Sequence, residues 1–99
     1  MRIIARRTLK AFWQRPGRRD AEQPLRAWYA AVKAAKWSGP ADIKVEYRSV
    51  SILKASRAVF NISGNKNRLV VHVRYDLQRV YVRFVSSHAE YDRIDAGTI

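Results

Sequence analysis

Apolar and polar residues alternate with a period of two along Val59–Ser63, Arg68–Tyr75 and Gln78–Val85, the pattern of strands with one buried face. Gly64-Asn65-Lys66 and Asp76-Leu77 separate these runs, so an antiparallel meander is predicted, although the second turn lacks the glycine that a two-residue loop favours. Earlier in the chain the period changes. Met1–Ile4 is a short apolar strand that must pair with a later one. From about Arg6 to Gln14, Leu9, Phe12 and Trp13 fall at helical spacing, and Pro16-Gly17 ends the run. Leu25, Trp28, Tyr29, Val32 and Ala35 predict a second helix. Asp20 and Gln23 resemble a capping box at its start, and Pro24 falls within the tolerated first turn. Ser38-Gly39-Pro40 ends it. Ala41–Tyr47 reads as one or two further helical turns, Ser49–Leu53 as a weak strand or extended loop, and His88–Asp95 as a short closing helix or tail.

Strand, helix, helix and then a meander predict an α+β fold in which a helical layer packs on one face of a small antiparallel sheet. Parity places Phe60, Ile62, Leu69, Val71, Val73, Tyr75, Val80, Val82 and Phe84 beneath the helices. The other face then carries Asn61, Arg68, His72, Arg74, Arg79, Tyr81 and Arg83, with Val59, Val70 and Val85 between them. A turn centred on Asp76-Leu77 sets Arg74 opposite Arg79 and His72 opposite Tyr81. Like charges so placed repel, and the pair is expected to need an anion nearby or a splayed geometry. Trp13, Trp28, Tyr29 and Trp37 are read as core, with Trp37 near an exposed helix end.

The chain has 99 residues, which predicts one domain over 1–99 with a single modest core. Twenty Lys and Arg against eight Asp and Glu give a net charge of +12, more than solubility asks of a small domain. A polyanion is the expected partner: nucleic acid first, by counterion release from phosphates, then a membrane surface or an acidic protein. With no cysteine, disulfides, thiol nucleophiles and iron–sulfur clusters are excluded, and the reducing cytoplasm is the default compartment. No apolar run reaches signal-peptide or membrane-spanning length, so a soluble protein without a membrane partner is expected.

The two histidines are His72 and His88. His88, with an ordinary pKa near ~6.5, can act as base or acid near neutral pH. Tyr91 follows three residues later, on the same face of a helical turn. Arg68 and Arg83 offer planar guanidinium groups to phosphate oxygens, and Lys66 adds a point charge at the adjoining turn. Together these suit metal-free RNA cleavage, which needs help for the 2'-hydroxyl, a proton for the leaving 5'-oxygen and positive charge around phosphorus. Their structural readings are weighed beside this one. His88 can hold a backbone group at a helix N-terminus, and Tyr91 can anchor the C-terminal segment to the sheet. For His72 packing or hydrogen bonding outweighs chemistry, Asp92 reads as an acceptor for a nearby arginine, and Asn61 and Asn65 read as strand-edge and turn hydrogen bonders. A Ser-His-Asp set drawn from Ser86 or Ser87, His88 and Asp92 lacks a nucleophile elbow. The acids and histidines form no recognisable metal site, and no cofactor motif is present.

Asn61-Ile62-x-Gly64-Asn65-Lys66-x-Arg68-Leu69 and the close His88-Ala89-Glu90-Tyr91-Asp92-x-Ile94-Asp95 resemble the HigB family of bacterial type II toxins. The opening MRIIARRTLKAFW and the DAEQPLRAWY segment are similar to the same family, so the resemblance spans nearly the whole chain. It implies a RelE-like mRNA interferase that cleaves mRNA, often on the ribosome, without metal, and is silenced by a helix-turn-helix antitoxin, HigA. Operator DNA would be reached only through that antitoxin. The expected catalytic set is His88, Tyr91, Arg68 and Lys66, with Arg83, Arg74, Arg79, Asn61, Asn65 and Tyr81 binding RNA. Two positions depart from the family pattern: Ser86-Ser87 stands where Gly-Thr is common, and Asn67 where an aromatic is usual. The competing readings are a non-catalytic basic RNA-binding module and a basic partner subunit of a DNA-binding regulatory complex.

Overall fold

A computed structural model describes residues 1–94. The chain forms β1 (Arg2–Ile4), α1 (Arg6–Trp13), a 3-10 turn (Arg19–Ala21), α2 (Glu22–Ala34), α3 (Pro40–Glu46), β2 (Ser51–Leu53), β3 (Arg57–Ile62), β4 (Asn67–Arg74), β5 (Arg79–Ser87) and α4 (His88–Tyr91). The strands make one sheet in the order β1-β5-β4-β3-β2. β2 to β5 pair antiparallel as the alternation predicts. β1 finds its partner in β5 and lies parallel to it, with Ile3 opposite Val80; the helices and the rest of the sheet lie between them in sequence, giving the long connection a parallel pair requires. The sheet is therefore mostly antiparallel rather than wholly so.

Helices cover one face. Leu9, Phe12, Trp13, Leu25, Trp28 and Val32 meet Ala58, Phe60, Ile62, Leu69, Val71, Val73 and Val80 in one buried cluster. Phe60 is its aromatic centre, with Trp28 and Tyr47 edge-on at 5.5 and 5.0 Å and Trp37 stacked at 6.3 Å. Trp37 is 2% exposed, so the expectation of an exposed helix end there is corrected: it closes the core beneath Tyr47. The start of α2 also differs. No side chain caps that helix, and the Asp20 carboxylate binds Lys66 instead.

Parity fails at one point in β5. Val71 pairs with Val82 and Val70 with Phe84, leaving Arg83 as the extra residue of a bulge. Beyond it the faces exchange. Val85 joins the core under the helices, and Phe84 lies on the open face with Val59, Val70, Leu53 and Tyr91, the reverse of the placement that unbroken alternation gives. β5 also runs two residues further than expected, through Ser86 and Ser87, which pair with Arg68 and Asn67.

The β4–β5 turn spans Tyr75–Gln78 and sets Arg74 opposite Arg79 and His72 opposite Tyr81, as the sequence predicts. Gln78 takes the positive φ of 53° that glycine would supply more cheaply, and its side-chain amide donates to the carbonyls of Trp37 and Tyr75 at 2.7 and 2.9 Å. Phe60→Ala should cost about 3–5 kcal/mol in urea unfolding, the usual loss for a buried phenylalanine. Phe84→Ala, on the uncovered face, should cost clearly less, and equal losses would argue for an unbroken β5.

Candidate functional site

The predicted residues divide between two ends of the open face. At one end the chain leaves β5 into α4, a helix of four residues that is too short to persist without outside support. Ser87 provides it through a capping box: its hydroxyl accepts from the Glu90 amide and the Glu90 carboxylate accepts from the Ser87 amide, both at 3.2 Å. The backbone N–H of His88 donates to the carbonyl of Lys66 at 2.9 Å, which ties α4 to the β3–β4 turn. His88 Nδ1 lies 3.1 Å from Asp92 Oδ2, with both side chains about half exposed. A proton on Nδ1 shared with Asp92 leaves the Nε2 lone pair to accept another. Asp92 thus serves a histidine, where an arginine was expected.

The β3–β4 turn supplies the positive charge. Arg68 donates to the Asn65 carbonyl at 3.1 Å, to the Asn67 carbonyl at 3.2 Å and to Asn65 Oδ1 at 2.8 Å, so its guanidinium is fixed on the turn while part of its edge remains unbonded. Asn61 is exposed across the ladder from Arg68. Lys66 Nζ meets Asp20 Oδ2 at 3.0 Å, and this hydrogen bond is the leading reason that the Asp20 carboxyl sits below its ordinary pKa. Glu90 is likewise lowered, first by the Ser87 amide; Arg15, 3.7 Å away, adds a weaker pull.

Tyr91 packs with Phe84 on the small apolar patch of Val59 and Val70, the anchoring role weighed for it from the sequence. Arg83, aimed by the bulge, stacks its guanidinium 5.7 Å from the centre of the Tyr81 ring. Arg74 and Arg79 belong to the far end. Six residues separate Arg68 from Arg74, roughly 20 Å along a strand. The expected repulsion between Arg74 and Arg79 is met within the chain, because Asp76 accepts two hydrogen bonds from Arg74 at 3.0 and 2.8 Å. No external anion is required there.

His72 lies midway, its ring 6.2 Å from Tyr81 and its buried Nδ1 without a hydrogen-bond partner. Burial lowers its pKa first, and the charges of Arg57, Arg83 and Arg74 lower it further. Among the described residues, no three or more His, Asp or Glu side chains gather as a metal site, and no helix is long and apolar enough to cross a membrane. Sequence reasoning missed Ser87, Glu90 and Phe84. The Ser87-x-x-Glu90 signature was open to view, whereas Phe84 was hidden by the bulge.

Residues 21–94 match the HigB_toxin family model, described as the RelE-like toxic component of a toxin–antitoxin system. The chain is similar to an mRNA interferase HigB of Escherichia coli O6:H1, strain CFT073, with 24% identity over 72 residues, 71% of this chain and 70% of the relative. An mRNA interferase toxin HigB of Escherichia coli K12 is 36% identical over 55 residues, 54% of this chain and 53% of that protein. An mRNA interferase HigB of Shigella flexneri matches to the same extent; the chain spans about half the length of these last two.

Ser87→Ala should weaken the local stability of α4 by about 1 kcal/mol, the usual value of a serine cap, read as faster hydrogen exchange at the Glu90 amide. The lowered pKa of His72 fixes the sign of a second expectation. The unfolded chain binds its proton more readily, so the contribution of neutral His72 is fully present above about pH 6.5 and falls as pH drops through the folded value. Urea midpoints should decline from pH 7.5 to 5, and His72→Gln should flatten that decline; a His72 pKa above 6.5 by NMR titration would reverse the sign.

Proposed function

The chain belongs to the HigB toxin family, RelE-like toxic components of toxin–antitoxin systems, and from this we propose that it is an mRNA interferase. In this reading it cleaves mRNA on the ribosome by metal-independent attack of the 2'-hydroxyl, inhibits translation in the cytoplasm, and is neutralised by a HigA-type helix-turn-helix antitoxin. Its relatives named mRNA interferase HigB support the activity. The observation that carries the reading is the fastening of His88 beside the β3–β4 turn, with its amide on the Lys66 carbonyl and its Nδ1 on Asp92.

The chemistry follows from the residue types. The 2'-oxygen forms a bond to phosphorus as its proton departs to a base, the bond from phosphorus to the 5'-oxygen breaks, and that oxygen takes a proton from an acid. His88 handles a proton at one end of this exchange. Arg68 and Lys66 offset the charge that gathers on the non-bridging oxygens, and Arg83 binds a neighbouring phosphate. Tyr91, beside Phe84, holds a base or assists the proton at the other end. Asn61, Asn65 and Tyr81 orient the strand, while Arg74 and Arg79 bind RNA beyond the cleavage point.

A second reading has an observation in its favour. Lys66 and Arg68 are already engaged with Asp20 and the turn carbonyls, which suits a basic RNA-binding module that does no chemistry. Mapping 5' ends after incubation with ribosomes and mRNA separates the two, since the module yields no new ends. Induced expression should stop growth, and His88→Ala should lower the cleavage rate by about 10²–10⁴-fold, the range for losing an acid–base group, and restore growth. Arg68→Ala should also restore growth. Toxicity unchanged in both variants would remove this site from consideration.

A further inference from the structure

We propose that Asp20, on the connection between α1 and α2, is a positioning residue for the cleavage site: it sets where the Lys66 ammonium stands while charge gathers on the reacting phosphate. The inference deepens the cleavage reading and rests on it. Asp20 is placed in sequence as a helix cap would be, yet it caps nothing, because α2 starts at Glu22 with no side-chain cap. Two arginines precede it, Arg18 and Arg19. Among the described residues its salt bridge is nevertheless with Lys66, 46 positions further along the chain.

A positioning group must itself be held. Asp20 lies in the 3-10 turn Arg19–Ala21, where Ala21 is fully buried in the core and its amide donates to the Arg18 carbonyl at 3.0 Å. The Asp20 carbonyl accepts from the Ser63 hydroxyl at 3.4 Å, a second link to the β3–β4 turn. Lys66 has no such base. Its side chain is 70% exposed, on a turn where Ser63 and Gly64 take positive φ of 57° and 66°, and a lysine stem is flexible. The contact with Asp20 Oδ2 at 3.0 Å uses one of the three ammonium donors and leaves two for phosphate oxygens. Asp20 therefore orients Lys66 without exhausting it. The backbone carries the constraint onward, since the Lys66 carbonyl accepts from the His88 amide at 2.9 Å. The same connection also reaches α4, where Arg15 stands 3.7 Å from Glu90 of the capping box.

The plainer reading is an ion pair that only steadies the fold. Stability asks little of it, because water and salt screen a pair this exposed, and Glu22 with Arg26 at 2.8 Å makes an equivalent pair on the same layer. Nor does the pair serve simple attraction of RNA. A carboxylate beside Lys66 offsets part of its positive field, and Asp20 stays ionised, since the hydrogen bond from Lys66 leads the causes that lower its pKa. The arrangement suits a charge whose place matters more than its strength. Stabilising a transition state makes that demand, whereas binding a polyanion does not.

The test measures kcat and KM for cleavage of ribosome-bound mRNA by the full chain, read as new 5' ends. Asp20→Asn keeps the shape and removes the charge; its kcat should fall about tenfold, less than the roughly 10²-fold that a 1 Å misplacement can cost, while KM stays level or falls. Asp20→Glu should recover most of the loss. In a Lys66→Met background Asp20→Asn should cost nothing further, the non-additivity of residues that act as a unit. Glu22→Gln removes the same charge from the same layer and should leave both constants unchanged, and matching urea midpoints would show that the fold is intact. A wild-type kcat in Asp20→Asn, an equal fall in Glu22→Gln, or the full loss persisting in the Lys66→Met background would overturn the proposal. An absence of new 5' ends from the wild type would instead sink the cleavage reading, and this inference with it.

Discussion

The fold rests on the demand that one face of a strongly paired β4–β5 ladder be buried while the other stays open, and on the bulge that lets both faces be served. Val80 and Val82 turn their side chains to the helices. Were the alternation to continue, Phe84 would follow them and Val85 would sit outside. With Arg83 as an extra residue opposite Val70 and Val71, the order reverses at the level where α4 begins. Val85 then completes the core, Phe84 gives Tyr91 an apolar seat, and Arg83 folds back over Tyr81. A single inserted residue thus supplies both an anchoring surface for α4 and an aimed arginine, in keeping with the tendency of bulges to occur beside functional sites.

The distribution of charge gives the open face a different character from that implied by the parity argument. Arg74 and Arg79 stand opposite each other, but Asp76 neutralises part of that pair, and its own carboxyl is held below the usual range by Arg74. His72, partly buried and with Arg57, Arg83 and Arg74 nearby, loses its proton more readily than a free imidazole. The sheet is therefore a moderately positive surface with a small apolar island. The dense charge is carried by α1, α2 and the segment joining them, where no large apolar side chain is exposed. Net charge belongs to the whole chain and does not by itself fix where on the surface the charge lies.

Much of the architecture was legible because it rests on local periodicity. The spacing of Leu9, Phe12 and Trp13 and of Leu25, Trp28 and Val32 gave α1 and α2, the alternation in β3 and β4 gave their buried faces, and the turn centred on Asp76-Leu77 gave the pairing of His72 with Tyr81. What escaped was non-local. The bulge depends on which residue of β4 each residue of β5 meets, and no pattern within VYVRFVSS encodes that choice. Trp37 lies just beyond a helix end in sequence, yet its burial depends on Phe60 and Tyr47. Asp20 is placed as a helix cap would be, but Lys66, distant in sequence, holds its carboxylate. The gathering of Lys66, Arg68 and His88 at one end was visible as two motifs; the roughly 20 Å to Arg74 followed only once strand ends were fixed.

The two departures from the family pattern differ in physical consequence. Ser87, where threonine is common, keeps a β-hydroxyl that accepts from the Glu90 amide, so the cap that orients His88 survives the change. Ser86, where glycine is common, is fully buried, and its hydroxyl donates to the Ser87 carbonyl at 3.0 Å; that hydrogen bond offsets the cost of placing a hydroxyl there. Asn67 is another matter. It lies directly across the ladder from Ser87, 1% exposed, and its side-chain oxygen has no hydrogen-bond partner. A buried acceptor left in that state costs about 1–3 kcal/mol, which an aromatic ring would avoid while filling more space. Of the two departures, the stability of the region beneath His88 is therefore governed by Asn67 rather than by the serine pair.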